Sequence, residues 1–559
     1  MSPTPRRRLT RLLPVAVAAA ALAVSGSLVS TAGASPDTAH QAARHDHKKG
    51  HEKGHHHGHG NGHHSHNTCG RGANDTYQKL LRCVTLKGVR GHQAALQAIA
   101  DRNDDPYYPG SRAAGTKGYS DSVKYVAGKL RKAGWKVTLD PFQFDFVFPS
   151  VLEQLTPTAG DYETGTFTGS GSGDVTGNVV PVDLALAPPR ASTSGCEPAD
   201  FPAAAFAGPN DIALIQRGTC GFAIKAANAQ AAGAEAVVIF NQGNEAAGDD
   251  RFGLIVGTAE GDVPLTIPVV GASFADGEKL AAAGSTAHVL VPPSEERTIY
   301  NVIAEKPGKN RNNVVMAGAH LDSVEAGPGI NDNGSGSAAL LETALQMSKV
   351  KPVNTVRFAW WAAEEAGLLG SAAYVDELSQ AQKDKIALYM NYDMVGSPNG
   401  ILMAYDANES SWPAPEGVTI PEGSEAIENL YERYYTSVGQ PYDDAEYSGR
   451  SDYQAFIEAG IPSGGLFTGA EVGKTERQAE IWGGTAGESY DPCYHAACDT
   501  YDNVDLEWLD VNSDLIAYAA LTYAYSTESV NGVKGKKVPG SKPLPEPAGP
   551  EMTVNLEEE

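Results

Sequence analysis

An α/β fold is predicted for this 559-residue chain: a mostly parallel mixed sheet with helices on both faces, interrupted by a β-rich insert. Short apolar runs of strand length alternate with helix-period patterns. Several of these runs stop at a histidine or an acid. One is Val314-Val315-Met316-Ala317-Gly318-Ala319-His320; another is Thr355-Val356-Arg357-Phe358-Ala359-Trp360-Trp361, soon followed by Glu364-Glu365. Between about 147 and 294 the texture changes, Gly, Ala and Pro becoming abundant while acids at strand ends disappear.

A chain of this length exceeds one ordinary core, so roughly two or three domains are expected. Its apolar content of 41 % is sufficient to bury them. The net charge of −25 offers no dense basic face for phosphates, which argues against nucleic acid. Residues 1–34 read as a signal peptide: Arg6, Arg7 and Arg8, an apolar run over 12–24, and Ala32-Gly33-Ala34 before the cleavage point. A secreted, extracellular protein follows, with no further segment apolar enough to span a bilayer. Six cysteines suit that compartment. Pairing between sequence neighbours is favoured: Cys69 with Cys83, Cys196 with Cys220, Cys493 with Cys498.

Residues 35–68 hold eleven of the fifteen histidines among Gly and Lys, and cannot form a core. A linker or pro-segment is expected there, with metal scavenging as the rival reading. The main domain begins over 69–146. Gly118 to Val126, then Leu130 and Ala133-Gly134-Trp135, give a helix with a glycine stop, and Lys136-Val137-Thr138-Leu139 a strand. The insert spans 147–296, with β-like runs at Ile212-Ala213-Leu214-Ile215 and Ala236-Val237-Val238-Ile239-Phe240. The main domain resumes over 297–526, with helices at 337–349 and 371–378 and a doubly buried central strand carrying Trp360 and Trp361. Residues 527–559, rich in Lys, Pro, Gly and Glu, read as a disordered tail.

Ligands in open α/β sheets collect outside the carboxyl ends of strands. His320, Asp332, Glu365 and Asp393 each follow a predicted strand, Asp332 lying twelve residues past His320. Only His92, His288, His320 and His495 lie outside the histidine-rich tract, and His495 sits within Cys493-Tyr494-His495-Ala496-Ala497-Cys498. Taken singly, each acid reads equally well as a helix cap. Together these nitrogen and oxygen donors fill the slots of a two-metal centre.

The motifs Ala317-Gly318-Ala319-His320-Leu321-Asp322-Ser323-Val324, Gly329-Ile330-Asn331-Asp332-Asn333-Gly334-Ser335-Gly336, Ala359-Trp360-Trp361-Ala362-Ala363-Glu364-Glu365, Asn391-Tyr392-Asp393-Met394, Ser448-Gly449-Arg450-Ser451-Asp452 and Cys493-Tyr494-His495 resemble the di-zinc aminopeptidases of family M28, in the secreted streptomycete branch. Gly218-Thr219-Cys220-Gly221-Phe222 and the alanine-rich run over 225–234 resemble the protease-associated (PA) domain. That second resemblance implies a lid or substrate-access role for the insert, a plain spacer being the alternative.

The M28 resemblance implies two Zn2+ ions bridged by Asp332, one completed by His320 and Asp393, the other by Glu365 and His495. It makes Glu364 the general base, Tyr494 the donor to the oxyanion and Asp322 the residue that orients His320. Arg450 and Phe467 would face the substrate, favouring large apolar N-terminal residues such as Leu, although core packing explains Phe467 as well. Asp510 and Asp514 resemble a calcium site of the branch. A helix cap is the rival, and the branch's partner aspartate near Cys83-Val84 is missing. The implied enzyme is a monomer acting on peptides with a free N-terminus, without nucleic acid or membrane partners. The rivals are a PA-bearing carboxypeptidase, a glutaminyl cyclase with one zinc on the same fold, or a non-catalytic binding protein.

Overall fold

The computed structural model describes Cys69 and residues 72–202, 204–244, 251–415 and 417–551. The expected signal peptide and histidine-rich segment lie outside the described residues. Two compact units emerge: Val147–Ser294, and a unit joining the described residues up to Phe146 with those from Glu295 to Glu551.

The larger unit contains an eight-stranded sheet. Its centre is four parallel strands in the spatial order Asn354–Trp361, Asn310–His320, Ile386–Tyr392, Ser463–Phe467. Glu295–Lys306 and Lys136–Phe146 extend one side in antiparallel fashion, and Met403–Tyr405 with Asp443–Ala445 the other. From Asn310–His320 the chain crosses through helix Gly334–Gln346 to Asn354–Trp361 on one side. It then returns through helix Leu369–Glu377 to Ile386–Tyr392 on the other. The strand order therefore reverses at Asn310–His320, which opens a crevice at its carboxyl end.

Consecutive strand residues face opposite ways, and the two tryptophans show both faces covered. Trp360 Nε1 donates to Ser337 O of helix Gly334–Gln346 (3.1 Å), whereas the ring of Trp361 packs on Tyr374 and Phe456, both on helices. Helix Lys117–Ala133 stops at Gly134, whose φ of 90° is open to glycine without a Cβ penalty.

The unit Val147–Ser294 holds a seven-stranded mixed sheet whose strands Asp211–Gln216 and Ala236–Phe240 are parallel and buried on both faces. Its Lys225, on helix Phe222–Ala232, is buried and donates to the carbonyls of Ser194 and Gln216. All three neighbour disulfides are formed, Cys69–Cys83, Cys196–Cys220 and Cys493–Cys498.

Residues 527–559 read as a loose tail, but up to Glu551 the chain packs back on its own unit. Val530 and Val538 are buried, Lys536 N donates to Tyr525 O, and Gly549 N and Glu551 N donate to Tyr442. Two isolated valines and backbone hydrogen bonds leave no periodic pattern, so composition alone misjudges the segment.

Candidate metal centre

Parallel register assembles the site. His320 stands opposite Trp361 and Gly318 opposite Asn391, so His320 and Asp393 emerge side by side where the strands end. Beyond Trp361 the chain turns at Ala363, held at φ 53°, and presents Glu364 and Glu365 to the same crevice. Met394 (φ 48°) and His495 (φ 54°) are likewise left-handed without being glycine. Each such residue costs about 1 kcal/mol, and strain of this kind gathers at functional sites.

Asp332 arrives from the start of helix Gly334–Gln346. Asn333 caps that helix by accepting from Gly336 N (3.0 Å), and its amide donates to Tyr392 O (2.9 Å). The approach is so close that a Cβ on Gly336 would meet Tyr392 O at 2.2 Å. Glycine is required there to bring Asp332 beside Asp393.

The two oxygens of Asp332 face different neighbours. Oδ1 lies 3.0 Å from His320 Nε2, which is 3.2 Å from Asp393 Oδ1. Oδ2 lies 3.4 Å from His495 Nε2, which is 3.0 Å from Glu365 Oε2. Glu364 Oε2 stands further back, 4.0 Å from His320 Nε2. Each imidazole Nε2 therefore meets two carboxylate oxygens, and a single N–H saturates only one of them. A tetrahedral zinc with bonds of about 2.0–2.2 Å separates its donors by about 3.3–3.6 Å, close to these spacings. Glu365 Oε1 is buried without a hydrogen-bond partner, a further sign that the donors await a cation.

The electrostatics agree. Burial, reinforced by Asp332, pushes Glu365 up to about 8 against the pull of His495. Burial also pushes Glu364 well up, His320 opposing and Asp393, Asp452 and Glu365 adding to the rise. Against the cost of burial, its two histidine neighbours hold Asp332 well below the usual carboxylate range. His495, despite burial, is raised to about 10 by Asp332 and Glu365. Carboxylates this crowded and dry need positive charge among them.

Supporting residues explain how the donors stay put. Asp322 accepts from Glu364 N and Glu365 N (both 3.3 Å), so one carboxylate fixes the turn that carries both glutamates; His320 Nδ1, 3.6 Å from it, has no hydrogen-bond partner. Asp322→Asn is expected to keep the fold and to weaken zinc binding about 10–100-fold in a zinc-buffered titration; unchanged affinity would remove it from this role.

Sequence reasoning missed three further supports. Asp499 accepts from Asn331 N and Asp332 N (2.8 and 2.9 Å). Ser451 Oγ donates to Asp393 Oδ2 (2.5 Å). Fully buried Arg112 grips the carbonyls of Leu321, Pro328 and Gly329. Asp499 directly follows Cys498, a signal that was available; nothing near Arg112 in the sequence points to the site.

Tyr494 stacks on His495 at 3.8 Å between ring centres, in the loop closed by Cys493–Cys498. Arg450 donates to Glu471 (2.6 Å) and to Tyr494 Oη (3.1 Å), so its first partners are protein groups. Phe467, half-buried, ends the strand next to Ile386–Tyr392. Asp510 and Asp514 lie one turn apart on helix Leu506–Tyr525, and burial with Asp510 nearby pushes Asp514 up to about 7. Among the described residues, no group of three candidate metal donors includes either one.

Comparison with known proteins gives one consistent picture. The profile of peptidase family M28 matches residues 301–520, and that of the PA domain residues 174–280. An aminopeptidase of Pseudomonas aeruginosa is 47 % identical over 461 residues, spanning 81 % of this chain and 83 % of that protein. A probable leucine aminopeptidase 2 of Aspergillus fumigatus is 41 % identical, spanning 78 % of this chain and 84 % of its own length. The solved structure of a zinc aminopeptidase from Bacillus subtilis superposes with a TM-score of 0.57 at 27 % identity, covering 80 % of this chain and 97 % of that one.

Proposed function

The chain belongs to peptidase family M28, and from that premise we propose that this metallo-aminopeptidase holds two zinc ions and removes large apolar residues, leucine foremost, from the free amino end of peptides outside the cell. The observation that carries the two-ion reading is the double face of Asp332, one oxygen beside His320 and the other beside His495. His320 and Asp393 would hold one ion and Glu365 and His495 the other, with an oxygen of Asp332 facing each group. Zinc bound there supplies Lewis acidity and brings the pKa of a water towards neutrality.

Glu364 is the general base. Its Oε2 lies 4.0 Å from His320 Nε2, among the donors His320 and Asp393, where it would take the proton of the attacking water and return it to the leaving amine. Tyr494 accepts a hydrogen bond from Arg450, which leaves its own O–H free to donate to the developing oxyanion. Burial raises that phenol's pKa further, so the proton stays available. Phe467 supplies an apolar wall, and the surrounding carboxylates favour a substrate ammonium, which restricts cutting to a free N-terminus. The leucine preference draws support from the fungal relative's name. Export draws support from three disulfides.

The test joins elemental analysis with chromogenic amides of Leu, Lys and Glu, before and after chelation. Two zinc ions per chain are expected, with Leu cleaved at the highest kcat/KM, activity lost on chelation and restored by zinc. Full activity at one zinc per chain would end the two-ion reading; equal cleavage of the three amides would end the apolar preference.

A further inference from the structure

A second group of acids is buried away from the metal centre. Helix Ser424–Val438 carries Glu428 and Glu432 one turn apart, and the edge strand Asp443–Ala445 carries Asp444; each is at most 5 % exposed. One donor oxygen from each lies within 4.8 Å of the others. Asp406, also buried, follows strand Met403–Tyr405. That strand runs antiparallel to Ser463–Phe467, so Asp406 leaves the sheet at the end opposite to the zinc centre.

Hydrogen bonds account for part of this cluster. Asp406 accepts from the backbone of Ser410, Ser411 and Trp412 (3.0, 2.7 and 2.8 Å). Glu428 accepts from Ala407 N and Asn408 N (both 3.1 Å) and from the Asn408 amide (2.8 Å). Asp444 Oδ2 accepts from the hydroxyls of Ser410 and Ser411 (2.9 and 2.6 Å). Its other oxygen, Oδ1, is buried with no hydrogen-bond partner, on a side chain that sits within the acidic group. The charged groups acting most strongly on Glu428 and Asp444 are all other carboxylates. Burial, with Glu432 and Asp406 beside it, pushes Glu428 up to about 9. Acids gathered in this way require protons or a cation to offset their repulsion.

We propose that Glu428, Glu432 and Asp444 form a calcium site at the far end of the sheet, separate from the zinc centre. The donors are all oxygen, without the imidazole or thiolate that select zinc. Calcium accepts six to eight oxygens in flexible geometry, whereas magnesium demands a near-ideal octahedron and keeps its waters. Carboxylates from a helix and an edge strand, with serine hydroxyls from the loop above, suit the larger ion. Its effect is to tie helix Ser424–Val438 and the 406–412 loop to the sheet edge.

The test uses the full zinc-loaded protein in calcium-depleted buffer, titrated with calcium chloride by calorimetry and followed by thermal unfolding. The wild type and the double variant Asp510→Asn/Asp514→Asn are expected to bind one calcium each with a rise in Tm. Asp444→Asn is expected to bind none and to show no calcium-dependent rise, while retaining cleavage of the Leu amide. Glu432→Gln makes the same test should Asp444→Asn fail to fold. Absence of calcium binding in the wild type would overturn the proposal. So would binding kept in the cluster variants but lost in Asp510→Asn/Asp514→Asn, or an equal Tm response to magnesium.

Discussion

Asp332→Asn is expected to yield a folded protein that keeps less than half of the wild-type zinc and loses more activity than the roughly 100-fold upper cost of removing a supporting residue. The amide preserves the volume of the side chain. It cancels the charge, however, and replaces one of the two oxygens with an NH2 that cannot ligate. Because Oδ1 and Oδ2 face separate histidine–carboxylate groups, that one change strips a donor from one group and weakens the other. The backbone bonds from Asn331 N and Asp332 N to Asp499 do not involve the altered side chain, so the loop should hold its shape. Because its two histidine neighbours hold Asp332 ionised, the amide also removes an attraction that the metal-free protein has, so the metal-free variant should unfold at a lower Tm than wild type near neutral pH. Two tightly held zinc ions in this variant would overturn the bridging role.

Glu364→Ala separates chemistry from metal binding. Its carboxylate lies 4.0 Å from His320 Nε2 beside the donors His320 and Asp393, and loss of general acid–base help costs at least about 100-fold in rate. Zinc content should stay at the wild-type level, with KM for the Leu amide little changed while kcat collapses. The neighbour gives the contrast: Glu365 Oε2 lies 3.0 Å from His495 Nε2, so Glu365→Ala should lose zinc as well as rate. Near-normal turnover by Glu364→Ala would remove the base from the scheme, and equal zinc loss in both variants would make Glu364 a ligand.

Much of this was legible in the chain itself. The apolar runs ending at His320, Trp361 and Asp393 give strands whose carboxyl ends meet, because a parallel sheet aligns all such ends on one edge. The candidate donors were visible as rare histidines and acids at strand ends, each of which reads singly as a helix cap; the resemblance to family M28 is what grouped them. The loose-tail expectation did not foresee the packing described as far as Glu551, because Val530 and Val538 are anchors too sparse to make a period.

By itself, the sequence determined the fold class and the change of texture at the insert, favoured the neighbour disulfide pairs, and offered candidate cation ligands that a family resemblance grouped, because these rest on local runs and short motifs. Only the tertiary structure decided that Asp332 turns one oxygen to each histidine, that Asp322 aims both glutamates, and that Arg112 grips a loop more than 200 residues away. Glu428, Glu432 and Asp444 likewise become one cluster only in three dimensions. The physical reason is that hydrogen bonds and ion pairs fall off within a few ångströms, while the partners here are brought together by the closing of the sheet, which leaves no periodic trace in the chain.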